Sequence, residues 1–417
     1  MAGPLRGITV LDFTIIFAGP YAGLHLADLG ADVIKVESPE GDPFRETAAV
    51  LPGNSKVFQY FNRGKRGIVV DLRTSAGREV IQRMLPSVDV VLTNFRPGVA
   101  ARLGIDYETL SSARPELVYA DITAFGHDGP LADRGGGNII AEAYSGAMAI
   151  SDKIDDDGAP IRSGLTVADL STAIAVAMGV SAALVHRERA GEGQLVSASL
   201  LRSAISFTGM ANMREPVSDA AVRDPLMEEV ALLRGGGGSY EAMLDARRRY
   251  HDLRGGPYHG AYRARDGAVV LGALTPANFA AARSVLKIEE DTLADGATVE
   301  ERRARMPGLR ARVREIIATR TVADWVRDFE AAGVPVAPVN LPEEIADDPH
   351  MSTMFVELEH ELAGKQRQVG PIVEMSKSPT ATERAAPTLG QHTAEVLGEF
   401  GFSRQEIASL LADATVA

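Results

Sequence analysis

Cysteine is missing from this chain of 417 residues, which excludes disulfide bonds, thiolate metal sites and cysteine nucleophiles. Long apolar runs are scarce too. The longest, Ala173–Val185, is short and rich in alanine, which argues against a membrane-spanning segment. The N-terminus, MAGPLRGITVLDF, lacks the apolar core of a signal peptide. We therefore expect a soluble, cytoplasmic protein with no membrane partner.

Positive charge is also in short supply, since the net charge is -13. This balance argues against nucleic acid as the main partner. An anionic ligand would need locally concentrated basic residues, and two segments supply them: Asn62–Arg73, NRGKRGIVVDLR, and Asn94–Arg102, NFRPGVAAR. Clusters of this kind suit phosphate groups, although ordinary surface arginines are an equally open interpretation.

Several familiar catalytic motifs are absent. The four glycines Gly235–Gly238 lack the G-K-[ST] of a phosphate-binding loop. The first strand-to-helix turn, FTIIFAGPYAG, lies where a nucleotide would bind, and Glu37 ends the next strand, but the G-x-G-x-x-G fingerprint is wrong. No Ser-His-Asp order and no metal-ligand spacing emerges. His127 lies among glycines and a proline, so we expect a loop residue without a catalytic role.

The first half of the chain alternates strands with helices. Apolar runs of this length, separated by helices, predict a parallel sheet covered on both faces. Thr74 or Ser75 is expected to cap the helix after the third strand, and Asp106 the short helix before the fifth. The predicted strands are Gly7–Phe13, Ala31–Glu37, Arg66–Leu72, Val88–Thr93 and Leu117–Ile122, with helices that include Pro20–Leu29 and 138–150.

The character of the sequence changes after Met213. Residues 214–256 are charged and irregular, which predicts a linker or a mobile loop. Tyr262–Leu274 is predicted to form a hairpin with Asp266-Gly267 in its turn. The chain becomes extended again from Val334. The predicted helices of this half are Pro276–Leu286, Val299–Ala318, Val322–Ala332, Glu395–Phe400 and Arg404–Asp413.

One carboxylate, Asp169, opens a long helix-favouring run that should end near Gly191. Asp169 is therefore placed at the N-terminus of a buried helix. It could cap that helix by accepting hydrogen bonds from Ser171 or Thr172 N–H. Alternatively it could be a nucleophile that attacks an activated acyl group, with free N–H groups nearby to stabilise the oxyanion. Spacing does not separate these two hypotheses. The apolar residues that recur at helical spacing after Asp169 are Leu170, Ile174, Met178, Ser181 and Val185.

Motifs along almost the whole chain resemble those of the family III CoA-transferases, the CaiB/BaiF-type superfamily that includes formyl-CoA transferases and alpha-methylacyl-CoA racemases. The resemblance implies an α/β fold: a Rossmann-like parallel-sheet large domain formed by both chain ends (1–213 and 336–417), a smaller α+β middle domain (214–335), and an interlocked homodimer. The motifs, in order, are VLDFTIIFAGPYAGLHLADLGADVIKVE, FNRGKRGIVVDLRTSAG, NFRPGVAARLGIDYETL, ITAFGHDGP, GLTVADL, RAGEGQLVSASL, RGGPYHGAYRARDGAVVLGAL, AGVPVAPVN and LGQHTAEVL.

The resemblance also implies a mechanism and a binding site. Asp169 would be the nucleophile, passing through an aspartyl anhydride and an aspartyl-CoA thioester. Coenzyme A would enter as acyl-CoA, a substrate rather than a permanently bound cofactor, with a small carboxylic acid as the other partner. The segments that match CoA contacts are Phe17 and Ala18 near pantetheine, Val70, Asp71, Leu72 and Arg73 near adenine, Asn94, Phe95, Arg96 and Arg102 near the phosphates, and Gly136, Gly137 and Asn138 facing the thioester.

Departures from the family pattern guide the choice of activity. Racemases pair the aspartate with a histidine in a GHD-type segment, but Gly137 occupies that position here, so a second base is missing. We expect the loop at Gly135–Gly137 to be mobile and Gly137→His to crowd it. Ile15 and Phe17 replace polar residues of formyl-CoA transferases, which counts against oxalate or formate.

These observations predict an acyl-CoA:carboxylate CoA-transferase. A C4–C5 dicarboxylate is the expected acid, and intramolecular transfer stays open. Two alternatives remain at this point. One is an acyl-CoA racemase or epimerase, because the segment RGGPYHGAYRARDG is more racemase-like. The other is a catalytically silent CoA-binding protein.

Overall fold

A computed structural model describes residues 3–250, 256–289 and 299–417. The chain divides into two compact units: Met1–Met213 with Pro349–Ala417, and Arg214–Asp348. The return to the first unit therefore falls after Asp348 rather than at the expected residue 336. The reason is local, because a strand at Val336–Pro338 pairs within the second unit.

The first unit is built on a parallel sheet. Among the described residues it has six strands in the order β3-β2-β1-β4-β5-β6. This is the strand order of a Rossmann-like doubly wound fold, with its reversal between β1 and β4. The five predicted strands are present, and Leu195–Ser199 adds a sixth that the sequence did not predict. The strands are β1 (Thr9–Asp12), β2 (Asp32–Glu37), β3 (Arg66–Val69), β4 (Val90–Thr93), β5 (Val118–Thr123) and β6 (Leu195–Ser199).

Helices of the first unit cover both faces of this sheet. Thr74 and Asp106 accept hydrogen bonds from Gly77 N and Thr109 N, which confirms both predicted caps. The predicted helix 138–150 is two helices, because Gly146 adopts a left-handed φ of 78° between them. The helices are α1 (Ala18–Asp28), α2 (Lys56–Asn62), α3 (Ser75–Met84), α4 (Val99–Leu103), α5 (Tyr107–Ala113), α6 (Asn138–Tyr144), α7 (Ala147–Ile150), α8 (Val167–Ala190), α9 (Leu200–Phe207) and α10 (Gly209–Asn212).

Residues 216–235 and 240–250 are helical in the structure, so the predicted linker or mobile loop is wrong over these ranges. The glycines at 236–238 lie in the turn between them, and residues 251–255 lie outside the described residues. Leu226, Val230 and Ala246 pack together in a small core of their own. Apolar residues four apart, such as Leu226 and Val230, are the helical signal that the surrounding charges concealed. The helices are α11 (Pro216–Ser218), α12 (Asp224–Gly235) and α13 (Tyr240–Tyr250), with a π-helix at Asp219–Arg223.

A three-stranded sheet, which includes a hairpin, and three helices complete the second unit. The hairpin forms where it was predicted, and its turn is closed by Ala264 N donating to Gly267 O at 2.9 Å. Trp325 and Phe329 are buried in the core of this unit. The elements are β7 (His259–Arg263), β8 (Ala268–Gly272), α14 (Pro276–Leu286), α15 (Val299–Ile317), α16 (Val322–Ala331) and β9 (Val336–Pro338).

The C-terminal segment returns to the first unit. Val396, Leu397 and Phe402 pack with Leu11 and Ile68 on one face of the parallel sheet. Both chain ends therefore build this unit, as expected. The elements are β10 (Phe355–His360), β11 (Gly364–Val369), α17 (Thr393–Glu399) and α18 (Arg404–Ala412).

The long helix α8 packs against α1 on the other face of the sheet. It ends as predicted at Gly191, whose φ is 75°. Its buried side is formed by small residues such as Ala173 and Ala177. The apolar stripe predicted to be buried is instead largely on the open side, where Ile174 is 46% and Met178 69% exposed. When a helix is apolar on every side, the periodicity of its sequence does not identify which face is buried.

By length and composition α8 could also cross a membrane, since it has 24 residues and a mean hydropathy of 1.7 over its most apolar window. The apolar run Ala173–Val185, on which the expectation of no membrane span was based, is by itself too short to cross a membrane. Of that window, 44% is buried inside the protein. A core helix of a soluble protein passes the same test, so this feature is weak support for a membrane span.

Candidate active site

Asp169 is the third residue of α8, and the N-cap of the helix is Thr166, which makes no side-chain capping bond. The hydroxyls of Ser171 and Thr172 donate to the carbonyls of Val167 and Ala168, each at 2.7 Å. The hypothesis that Asp169 caps its own helix is therefore wrong. Its carboxylate remains available for another role.

The start of α8 is capped by side chains of α6. Asn138 Oδ1 accepts from Ala168 N at 2.9 Å and from Asp169 N at 3.3 Å. Glu142 Oε1 accepts from Val167 N at 3.2 Å and from Asn138 Nδ2 at 2.8 Å. These first N–H groups of α8 are occupied, so the expectation that they are free to stabilise an oxyanion is wrong.

The carboxyl group of Asp169 lies in a strongly perturbed environment. Burial, and then the negative charge of Glu142, raise the pKa of Asp169 from 3.8 to about 7. Within the described parts of the chain, Asp169 forms no ion pair that would stabilise its anion. The environment therefore favours any form of this side chain that is neutral, including a protonated or an acylated one.

Two glycines before α6 lie close to side chains of the segments that follow β4 and β5. A Cβ at Gly135 would lie 3.1 Å from Arg96 Nε, and one at Gly136 would lie 3.2 Å from Phe125 Cε2. A Cβ at Gly137 would have nothing within 4 Å. A Cβ at Gly137 is therefore accommodated, whereas a Cβ at Gly135 or Gly136 would require its neighbours to shift. The expected crowding by the larger side chain of Gly137→His stays a prediction.

A cavity of about 360 Å³ opens outside the carboxyl ends of β1, β2, β3 and β4. Ligands bind at this edge of open α/β sheets, near the point where the strand order reverses. The structure brings five of the predicted CoA-binding residues together here, from two separate segments of the chain. They are Val70, Asp71, Leu72, Arg73 and Phe95.

The remaining predicted residues lie elsewhere in the same unit. Asp169 and Gly137 do not line the cavity. Arg96 is exposed between Phe95 and α4, and Arg102 is exposed on α4 itself. Because Arg96 touches Gly135, the predicted phosphate segment and the loop before Asn138 are in contact.

Arg73 is the basic residue at the rim of the cavity. Its Nε contacts Asp71 Oδ1 at 2.8 Å and its Nη1 contacts Glu40 Oε1 at 2.9 Å, while 61% of its side chain is exposed. Exposed ion pairs of this kind contribute little stability, so a phosphate could replace one of these partners at small cost. Glu37, in contrast, is buried against Arg45 and bonded to Asp42 N, which rules it out as a free ribose-binding acid.

Asn94 holds the loop between β1 and α1 rather than facing outward. Its Oδ1 accepts from Ile15 N at 2.9 Å, and its Nδ2 donates to Ile15 O at 2.7 Å. Ile16 adopts a left-handed φ of 73°, which is rare for a β-branched residue. Its N–H donates to Asp42. Both amide atoms of Asn94 are thus used to fix this loop.

Phe17 and Ala18 follow directly in this loop. Phe17 packs on Phe61, with ring centroids 4.0 Å apart, and Ala18 is buried as the first residue of α1. Two fully buried lysines brace the same region. Lys35 Nζ donates to Thr14 O and pairs with Asp42, both at 2.9 Å, and Lys65 pairs with Asp12 at 2.7 Å.

Sequence reasoning missed Glu142 and Lys35. Lys65 was placed in a basic segment suited to phosphate, but in the structure it is buried in an ion pair with Asp12. Glu142 follows Asn138 by four positions, a spacing that places two side chains on one helix face, and a charge in the apolar run IIAEAY was the available signal. His127 lies where it was expected, half exposed in a loop, with its Nε2 3.2 Å from Asp121.

The chain matches the family model described as CoA-transferase family III over residues 5–393. It is 35% identical to a succinate–glutarate CoA-transferase of Agrobacterium fabrum over 95% of both chains. It is 32% identical to a succinyl-CoA:mesaconate CoA-transferase of Haloarcula hispanica, covering 96% of this chain and 97% of that one. A crystal structure of a CaiB/BaiF family protein from Brucella suis aligns with a TM-score of 0.74 at 27% identity, over 96% of this chain and 100% of that chain.

The chain therefore belongs to CoA-transferase family III. It is an enzyme that moves coenzyme A, with CoA thioesters as substrates. The resemblance read from the sequence motifs is confirmed.

Proposed function

We propose that this enzyme transfers CoA from an acyl-CoA to a C4–C5 dicarboxylate, with Asp169 as the covalent nucleophile. The observation that carries the proposal is the setting of Asp169: a partly buried carboxyl group in the first turn of α8, without a cationic partner in the described residues, whose pKa is raised to about 7. A more basic carboxylate is a better nucleophile, and a pKa of about 7 leaves part of it ionised at neutral pH.

The first half-reaction loads the enzyme. An oxygen of Asp169 attacks the thioester carbonyl, the C–S bond breaks, and a mixed anhydride forms with release of the CoA thiolate. The thiolate then attacks the aspartyl carbonyl. This releases the donor acid as a carboxylate and leaves an aspartyl-CoA thioester.

The second half-reaction reverses these steps with a different acid. The acceptor carboxylate attacks the aspartyl thioester and forms a new mixed anhydride, again freeing the thiolate. The thiolate attacks the acceptor's carbonyl, which yields the new acyl-CoA and regenerates the Asp169 carboxylate. In both covalent intermediates Asp169 is neutral, so the burial that disfavours its anion favours these intermediates.

The cavity at the carboxyl ends of the strands is proposed to bind the adenine end of CoA. Apolar walls from Val70, Leu72 and Phe95 suit a planar base, and Arg73 at the rim suits a phosphate. Arg96 and Arg102 would meet the remaining phosphates. Gly136, Gly137 and Asn138 would face the thioester, and Phe17 and Ala18 the pantetheine arm.

The acid is inferred from relatives. The Agrobacterium protein is named for succinate and glutarate, and the Haloarcula protein for mesaconate. All three are dicarboxylates of four or five carbons. Intramolecular transfer, between the two carboxyl groups of one acid, is a second form of the same chemistry. A racemase is not favoured, because Gly137 supplies no base opposite Asp169.

We also propose that the active enzyme is a homodimer. The apolar stripe on the open side of α8 includes Ile174, Met178 and Val185, each between 46% and 69% exposed. His25 of α1 and Ile372 line an apolar groove beside Ile174 and Met178. A second copy of the chain is the occupant that this continuous apolar surface fits best.

A two-way screen tests the function. Succinyl-CoA, glutaryl-CoA, mesaconyl-CoA and acetyl-CoA are each incubated with succinate, glutarate, mesaconate, acetate and oxalate, and the new CoA esters are identified by mass. The expected result is exchange among the dicarboxylates and little with acetate or oxalate. Exchange of the α-proton of a branched acyl-CoA with deuterated water, without CoA transfer to any acid, would instead establish the racemase alternative.

A further inference from the structure

Glu142 is a charged group that the proposed steps do not use, although it lies next to the nucleophile. It is 3% exposed, on the side of α6 that faces the start of α8. Its Oε1 accepts from two N–H donors, Val167 N and Asn138 Nδ2. These two hydrogen bonds fix the Glu142 carboxylate beside the first turn of α8, where its charge acts on Asp169.

The geometry points to Glu142 as a positioning residue for Asp169: through Val167 and Asn138 it holds the first turn of α8, and its charge disfavours the free Asp169 carboxylate relative to the neutral acylated forms. This inference rests on the proposed function for its catalytic meaning. Its structural part, the coupling of the buried Glu142 carboxylate to the partly buried Asp169 carboxylate, stands independently.

The holding role follows from the hydrogen bonds. Thr166 contributes no side-chain cap, so the first three N–H groups of α8 depend on α6 for their partners. Glu142 fixes the amide of Asn138 as well, because the bond from Nδ2 turns Oδ1 toward Ala168 N. Loss of this arrangement would leave buried donors unsatisfied at the residue that must attack the thioester.

The charge role follows from which groups face Asp169. Burial and the charge of Glu142 act together on its carboxyl group. Arg162 lines the small cavity beside Glu142 and Thr166, yet in the described residues it pairs with neither carboxylate. Other elements also pack against α8, and none of their titratable or charged groups acts on Asp169. These groups are Tyr21, His25 and Asp28 of α1, Tyr119 and Asp121 of β5, and Arg202 of α9.

The consequence is that acylation of Asp169, which removes its negative charge, relieves the repulsion from Glu142. Two carboxylates held close in a poorly solvated site repel, and acylation of Asp169 removes one of the two charges. Repulsion is therefore released when the anhydride or thioester forms and returns when Asp169 is freed. This lowers the cost of the covalent intermediates relative to the resting enzyme.

The variant Glu142→Gln separates the charge of Glu142 from its hydrogen bonds to the first turn of α8. The amide oxygen can keep both hydrogen bonds while the charge is lost. The first readout is the adduct on Asp169, formed with succinyl-CoA in a single turnover and followed against pH. In the wild-type enzyme we expect the rate to rise with a midpoint near the pKa of Asp169. In Glu142→Gln the midpoint should fall by about one pH unit, because burial alone then raises it.

The second readout needs no substrate. Thermal unfolding of wild type, Asp169→Asn, Glu142→Gln and the double variant is measured at pH 5 and pH 8. At pH 8, Asp169→Asn should raise the Tm of the wild-type enzyme more than it raises the Tm of Glu142→Gln. Equal effects in the two backgrounds, together with an unmoved midpoint, would overturn the inference. An adduct on the wild-type enzyme alongside that result would leave the proposed function intact.

Glu142→Asp serves as the second variant. It keeps the negative charge but moves it away by one methylene group, so the midpoint of the pH dependence should fall by less than in Glu142→Gln. The rate of adduct formation should also drop, because the hydrogen bond from Val167 N is lost. If Glu142→Gln does not fold, this comparison decides the matter: an unchanged midpoint in Glu142→Asp overturns the charge role.

Discussion

At the scale of single residues, Asp169 should influence folding as well as catalysis. Its pKa is about 7 in the folded chain and 3.8 when fully solvated, so the folded state binds a proton that the unfolded state has released. The contribution of Asp169 to the stability of the folded protein therefore falls as the pH rises from about 4 to about 7.

Asp169→Asn removes this titration. We expect the variant to gain on the order of 2–4 kcal/mol in unfolding free energy over the wild type at pH 8, and little at pH 4. Urea unfolding at both pH values measures it. Asp133→Asn, which changes an exposed carboxylate, is the control and should show no such pH dependence. If the difference in unfolding free energy between Asp169→Asn and the wild type were the same at both pH values, the raised pKa of Asp169 would be refuted.

Arg73 and Arg102 should act on CoA rather than on the acid. Either change to alanine should raise the KM for every acyl-CoA by a similar factor, on the order of tenfold, because each removes a contact to a group common to all donors. Preference among acceptor acids should stay the same. Arg404→Ala, at the exposed start of α18, is the matched control. Altered acceptor preference with unchanged KM for the donors would contradict the assignment.

At the scale of elements, the loop between β1 and α1 depends on buried ion pairs. Lys65 Nζ contacts Asp12 Oδ2, Pro20 O and Asn62 Oδ1 within 2.9 Å, and neither Lys65 nor Asp12 is exposed. Lys65→Met would leave the Asp12 carboxylate buried without its cation. We expect a loss of about 3–5 kcal/mol in unfolding free energy.

The double variant Lys65→Met/Asp12→Asn is the comparison for that prediction, because it removes both charges together. It should be more stable than Lys65→Met alone, as measured by the midpoint of urea unfolding. A double variant that is less stable than the single one would show that the packing of the lysine stem, rather than the charge, is what the loop requires.

The sequence was most informative about elements whose determinants are local. The caps at Thr74 and Asp106, the end of α8 at Gly191 and the hairpin around Asp266-Gly267 depend on neighbouring residues, and all were predicted. The family motifs placed the five cavity residues on separate segments, and the fold brings them together.

Tertiary contacts explain what the sequence did not reveal. Asn138 caps Ala168 from 30 positions away, and no local pattern encodes that bond. Likewise, the side of α8 that is buried is decided by its neighbours in the fold, because the helix is apolar on all sides. The helices of 214–250 were concealed by charges around a core of few apolar residues.

At the scale of the whole molecule, the exposed stripe on α8 predicts self-association. Met178→Glu places a charge at the centre of the proposed contact, where Met178 is now 69% exposed. We expect this variant to shift toward monomer in light scattering after gel filtration, with Met178→Leu remaining dimeric. A wild-type protein that is monomeric at micromolar concentration would contradict the dimer.

The covalent role of Asp169 is the central claim, and mass spectrometry of the protein after brief incubation with succinyl-CoA tests it most directly. We predict an added mass on the peptide that contains Asp169, corresponding to its CoA thioester or, after hydroxylamine, its hydroxamate. Asp169→Ala should lack this mass and should transfer CoA at least about 10³-fold more slowly. An unmodified Asp169 peptide together with an active Asp169→Ala enzyme would contradict the mechanism.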